Sequence, residues 1–179
     1  MKRSRISADS FSPVLGLRST HTQSLINSSG FRRRIVRKRS KALLEAEQDW
    51  ILDGGDGVRL LGHYSPQSSG SKGLVILFHG WEGSSRSNYI VAAGGMLYDK
   101  GFDVFRLNFR DHGESHHMNR GLFHSCRLAE VVHALQDIQQ RTGAKDWALS
   151  GYSLGGNFAL RCAIEAPGDG LSLRQVVAV

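Results

Sequence analysis

Ser153 is the residue whose surroundings most clearly suggest chemistry. It lies in Leu149-Ser150-Gly151-Tyr152-Ser153-Leu154-Gly155-Gly156-Asn157-Phe158, which contains the Gly-x-Ser-x-Gly pattern of a nucleophile elbow. A serine at the tip of such a turn is held in a strained backbone conformation with its hydroxyl clear of the sheet. Strand and helix pass close together beside it, so side chains at Gly151 and Gly155 would collide. A helix over 154–166 would aim its N-terminus, with its free N–H groups, at charge developing near Ser153. The pattern alone is weak in a chain rich in Gly and Ser, where a glycine-rich turn without chemistry is the bland alternative. Its context strengthens it: Trp147-Ala148-Leu149 reads as a buried strand, and Phe158, Ala159, Cys162, Ala163 and Ala166 recur at helical spacing.

The elements that must position this turn alternate along the chain. Residues 45–65 read as a hairpin, with Asp53-Gly54-Gly55-Asp56-Gly57 as its turn. Residues 65–72 are a loop by composition. Leu74-Val75-Ile76-Leu77-Phe78 is a continuous apolar run, as expected of a strand buried on both faces of a parallel sheet. It leads into His79-Gly80-Trp81-Glu82-Gly83-Ser84-Ser85. A helix carrying Ile90, Ala93, Gly94 and Leu97 follows and stops at Gly101. Then come a strand over 104–108, a polar loop over 109–117, and a helix with Leu128, Val131, Val132, Leu135 and Ile138 that ends at Gly143. After the elbow helix, Gln175-Val176-Val177-Ala178-Val179 reads as another buried strand. This alternation predicts an α/β three-layer α/β/α sandwich with a mostly parallel sheet and the elbow strand central. The loops after 78, 108 and 152 then share the carboxyl edge, where such sheets bind ligands.

Composition sets limits on class. A hydrophobic fraction of 40% and a charged fraction of 22% are ordinary for a globular domain. Cys126 and Cys162, both expected on helices, offer neither a disulfide framework nor metal-ligand spacing, which favours a reducing, cytoplasmic setting. No apolar run reaches membrane-spanning length. The charge is uneven: residues 1–41 hold eleven Lys/Arg against Asp9, a net +10, and the remainder nets −3. This divides the chain into a basic N-terminal arm over 1–44 and a domain over 45–179. The arm suits weak contact with an anionic membrane surface, or simple solvation. The absence of interleaved aromatics after Phe31 counts against nucleic acid. His112, His116, His117 and His124, with Asp111 and Glu114, suggest a metal. All lie on one loop without a helical i,i+4 pair, so a solvated loop is the better reading.

The order His79-Gly80, Arg110-Asp111-His112-Gly113-Glu114-Ser115 and Gly151-Tyr152-Ser153-Leu154-Gly155-Gly156 resembles the α/β-hydrolase fold. The run His79 to Ser87, Leu107-Asn108-Phe109-Arg110 and Ser153-Leu154-Gly155-Gly156-Asn157 is similar to the YheT-type branch of carboxylesterase-like hydrolases. So is Leu17-Arg18-Ser19-Thr20-His21-Thr22-Gln23 in the arm. The resemblance covers about residues 11–179. It implies that Ser153 is the nucleophile and that the backbone N–H groups of Leu154 and Trp81 are the oxyanion donors. It also implies acyl-ester hydrolysis through an acyl-serine, with no cofactor and a small-molecule acyl ester as substrate. In it His79 is a structural histidine of the loop, while Trp81 either lines an acyl pocket or caps the core.

A serine hydroxyl needs a base, and the base an orienting acid, in the family order Ser, acid, His. Beyond Ser153 the sequence offers Glu165 and Asp169, both too early for the family's acid, and no histidine; the last is His133. The expectation is therefore a truncated hydrolase domain, inactive as these 179 residues alone. Its sheet should present an unpaired edge beside the elbow strand. The alternative is a catalytically silent binding protein on the same fold.

Overall fold

The computed structural model describes residues 12–145, 147–168 and 170–179. Its contacts group into two compact units, one ending at Ile35 and one spanning Val36–Val179. The first contains α1 (Thr20–Ser28) and the start of α2 (Gly30–Arg39). The sequence shows little periodicity here, yet the segment is helical. Arginine is a good helix former, and Ser29 Oγ accepts the Arg32 N–H at 3.3 Å where α2 begins.

In the second unit Val36, Ser40 and Leu43 are buried, the last on α3 (Lys41–Glu45). Ser40 Oγ donates to the Val91 carbonyl at 3.0 Å, and Ser65 Oγ to the Leu43 carbonyl at 2.9 Å. The strands are β1 (Gln48–Asp53), β2 (Arg59–Ser65), β3 (Leu74–Phe78), β4 (Asp103–Leu107), β5 (Trp147–Gly151) and β6 (Leu173–Ala178). The helices that complete the unit are α4 (Asn88–Asp99), α5 (Leu128–Thr142) and α6 (Leu154–Glu165). The sheet order is β1-β2-β4-β3-β5-β6. β1 and β2 form the expected antiparallel hairpin, β2 pairs antiparallel with β4, and the remaining pairs are parallel.

β3 shows how the layers arise. All five of its residues are buried. Leu74, Ile76 and Phe78 join the core that holds α5 and α6, whereas Val75 and Leu77 join the core of α3 and α4. The period-2 alternation of a strand thus feeds two opposite hydrophobic layers from one apolar run. Each such buried side chain contributes about 1.5–3 kcal/mol relative to exposure.

Two expectations are corrected. β5, expected at the centre of the sheet, is next to last in the strand order, because β6 alone pairs on its outer side; the unpaired edge beside the elbow strand is that of β6, as expected. Parallel pairing from residue 173 onward covers the outer side of β5 completely. Cys126 lies in a turn before α5 and not on a helix, because the helix begins at Leu128.

Candidate active site

β3, β4 and β5 run parallel, so their carboxyl ends bring the three loops after 78, 107 and 151 to one edge. Ser153 stands at the end of β5, immediately before α6, and is exposed. Its backbone angles are φ 52° and ψ −115°. A non-glycine residue at positive φ costs about 1–3 kcal/mol and persists only where the surroundings impose it. Here they do. The Tyr152 N–H donates to the Phe78 carbonyl at 3.1 Å, the Ser153 N–H to the Val179 carbonyl at 2.8 Å, and the Gly155 N–H to the Tyr152 carbonyl at 2.9 Å. Steric closeness completes the turn. A Cβ on Gly151 would lie 2.1 Å from the Gly155 carbonyl oxygen, and one on Gly155 would lie 2.5 Å from that of His79.

Among the described residues, no hydrogen bond uses the N–H of Leu154 or of Trp81. The first opens α6, where free N–H groups and the helix dipole favour negative charge. The second is aimed by its own peptide. The Gly80 carbonyl accepts from His79 Nδ1 at 2.7 Å and from the Gly83 N–H at 3.0 Å. In a trans peptide the following N–H points the opposite way, so fixing Gly80 C=O fixes the Trp81 N–H. The loop also touches the serine turn: a Cβ on Gly80 would lie 3.4 Å from Ser153 Cβ.

His79 is committed to structure. It is fully buried; Nδ1–H donates to Gly80, and Nε2 accepts the Phe109 N–H at 3.2 Å. Burial holds its pKa down to about 4, outweighing the Gly80 hydrogen bond, which raises it; nearby His112 lowers it further. With both nitrogens bonded to backbone, it is a poor candidate to take a proton from Ser153.

The neighbouring loops are anchored from below. The Ser85 N–H donates to Asn108 Oδ1 at 2.8 Å, and Ser85 O accepts from Arg106 Nη1 at 3.3 Å. Arg106, wholly buried, pairs with Glu47, which also binds Arg86 at 2.6 Å. Arg110 donates from Nε and Nη2 to Glu130 Oε2 at 2.9 and 2.7 Å. A cavity of about 380 Å³ opens beside the loop, walled by Trp81, Glu82, Asp111, His112, Leu122 and Phe123. Trp81 is 61% exposed and meets the Phe123 ring edge-on at 6.1 Å, so it lines a pocket and does not cap the core.

The histidine loop does not gather a metal set. His112 Nδ1 donates to the Arg110 carbonyl, and His116 pairs with Asp111 at the surface. The structure instead gathers Glu47, Asp49 and His63, with ligand atoms within 4.8 Å of one another. Cross-strand register opposes Asp49 and His63, which no motif signals. Two guanidinium groups already neutralise Glu47, so this is an ion-pair network and not a cation cradle. Glu165 is exposed at the end of α6, and Asp169 lies outside the described residues. Among the described residues, no imidazole or carboxylate is hydrogen-bonded to Ser153.

Residues 73–169, more than half of the chain, match the alpha/beta hydrolase fold family. The chain belongs to that family. It is 30% identical over 174 residues to the Escherichia coli (strain K12) protein named "Putative esterase YheT", across 97% of this chain and 48% of that one. The chain thus spans about half the length of this curated relative. Solved α/β hydrolases share the fold. The lidless a/b serine hydrolase of Xanthomonas campestris superposes with a TM-score of 0.60 at 20% identity, over 74% of this chain and 60% of that one. GrgF of Penicillium sp. sh18 gives 0.62 at 18%, over 74% and 45%. The esterase of Pyrococcus furiosus gives 0.57 at 22%, over 64% and 46%. Among the described residues, no helix is long and apolar enough to cross a membrane.

Proposed function

We propose that this chain carries the nucleophile half of a serine hydrolase that cleaves carboxylic esters through an acyl-serine intermediate. The observation that carries the reading is Ser153 at positive φ against the Gly80 loop, with the N–H groups of Leu154 and Trp81 unused among the described residues. Ser153 Oγ attacks the ester carbonyl and gives up its proton to a base. The tetrahedral oxyanion then takes hydrogen bonds from Leu154 and Trp81. The proton passes to the departing alcohol, and water later releases the acid by the same route. Preorganised donors of this kind are worth roughly 3–4 kcal/mol each in barrier lowering. The aromatic pocket beside Trp81 is proposed to take an apolar part of the ester.

The base and its acid are proposed to be a histidine and a carboxylate outside these 179 residues. His79 is occupied, and no histidine follows Ser153. The 179 residues alone should then be nearly inactive. We further propose a cytoplasmic setting, a hydrolase domain whose sheet begins near residue 45 and to which residues 36–44 also belong by packing, and weak electrostatic contact of the basic arm with anionic membranes. Six Lys/Arg and no acid lie on α2, beside an exposed Phe31, which supports the last of these.

A fluorophosphonate probe should label the complete protein once, at Ser153. Ser153→Ala should abolish labelling and reduce turnover of short-chain activated esters by three or more orders of magnitude. Labelling and turnover that survive this substitution would remove the reading. A complete protein that neither labels nor turns over, yet binds esters, would favour a silent binding module.

A further inference from the structure

We propose that Tyr89 is a positioning residue: it locks the loop after β3 to the serine turn and so sets the aim of the Trp81 N–H. The inference rests on the acyl-serine reading above. Tyr89 is the second residue of α4, and its side chain touches both partners. Its hydroxyl oxygen accepts the Gly80 N–H at 2.9 Å. Its ring lies 5.1 Å from that of Tyr152, the residue before Ser153.

The fit is close. A Cβ on Gly83 would fall 2.6 Å from the Tyr89 hydroxyl oxygen, and one on Gly80 would fall 3.6 Å from it. The two glycines thus leave a notch that the hydroxyl occupies. Gly80 is bonded on both sides: its N–H to Tyr89, its carbonyl to His79 Nδ1 and the Gly83 N–H. Glycine has the softest backbone, so such a residue keeps one orientation only when both its peptides are held. Tyr89 holds the first, and the second carries the Trp81 N–H. The Tyr89 hydroxyl also occupies the Gly80 N–H, whereas no hydrogen bond among the described residues uses that of Trp81.

Tyr89→Phe keeps the ring against Tyr152 and removes only the acceptor. The Gly80 carbonyl retains both partners, so the loop should loosen without unfolding. Losing an oxyanion donor outright costs about 10²–10³ in kcat, and misaiming one should cost less, about tenfold. KM should change by less than about twofold, because the donor acts on the transition state. A boronic acid that mimics the tetrahedral adduct should weaken by the same factor as kcat falls. Tyr98→Phe is the control. It lies on the same helix and loses a similar hydrogen bond, 3.0 Å to the Pro66 carbonyl, and should leave kcat and boronate affinity unchanged.

The experiment uses the complete protein, with steady-state kinetics, boronate titration and amide exchange at Gly80. Tyr89→Phe should lower kcat and boronate affinity together and accelerate Gly80 exchange about tenfold or more. Unchanged kcat and boronate affinity in an active protein would overturn the proposal, as would unchanged exchange at Gly80. A wild-type protein without Ser153-dependent turnover would instead remove the hydrolase reading. Gly80 exchange then still decides whether Tyr89 holds the loop.

Discussion

Replacing Gly155 by alanine should displace the serine turn, not merely fill space. The new Cβ would lie 2.5 Å from the His79 carbonyl oxygen and 2.6 Å from that of Phe78. Ordinary contact begins near 3.4 Å, so about 0.9 Å of overlap must be relieved. Both obstructing atoms are main-chain atoms at the end of β3, which is paired with β4 and β5 and does not yield. The N-terminus of α6 must therefore move by roughly 1 Å, taking Ser153 and the Leu154 N–H with it. Overpacking of this kind costs about 1–3 kcal/mol. At about 2–4 °C per kcal/mol for a chain of this size, Tm should fall by about 2–12 °C. A displacement near 1 Å at the reacting centre costs roughly 10²-fold in rate. The assays are a thermal melt and the rate of fluorophosphonate labelling in the complete protein. Gly168→Ala is the control, because its Cβ would sit 3.5 Å from the Glu165 carbonyl in ordinary contact. If Gly155→Ala melts within about 1 °C of wild type and labels at the wild-type rate, the close-approach argument is wrong.

Glu130→Gln should strip the buried Arg110 of its carboxylate and destabilise by about 3–5 kcal/mol, seen as a shifted urea midpoint. The paired change Arg110→Met with Glu130→Leu should recover part of that loss. His79 makes stability fall in acid. Its pKa of about 4 in the fold lies below the 6.5 of the unfolded chain, so between those values only the unfolded state takes the proton. The stabilisation is complete above about pH 6.5 and is lost toward pH 4, by about 3 kcal/mol in all. His79→Gln should remove that part of the pH dependence of chemical unfolding. For the arm, neutralising the exposed Arg32, Arg33 and Arg34 should reduce cosedimentation with anionic vesicles at low salt. Wild-type binding should itself weaken toward 0.15 M salt, where charges are screened beyond about 8 Å. Equal binding by both proteins would dismiss the contact.

The sequence by itself determined the alternation of elements and the place of the serine. The apolar run 74–78, the helical spacing in 128–138 and 154–166, and the glycines around Ser153 are local signals, because side-chain periodicity and backbone sterics act over a few residues. Those signals carried the fold class, the hairpin, and the clustering of three loops at one sheet edge. They failed for residues 20–39, where the polar α1 and the arginine-rich α2 lack an apolar stripe, and for Cys126, two residues ahead of its helix. Only the tertiary structure decided the roles that depend on distant partners. His79 spends both nitrogens on backbone one and thirty residues away. Tyr89 meets Gly80 nine residues back and Tyr152 sixty-three ahead. Glu47, Asp49 and His63 converge through strand register, and Arg86 and Arg106 then neutralise Glu47. These contacts follow from sheet order and crossover geometry, which no stretch of this chain encodes alone.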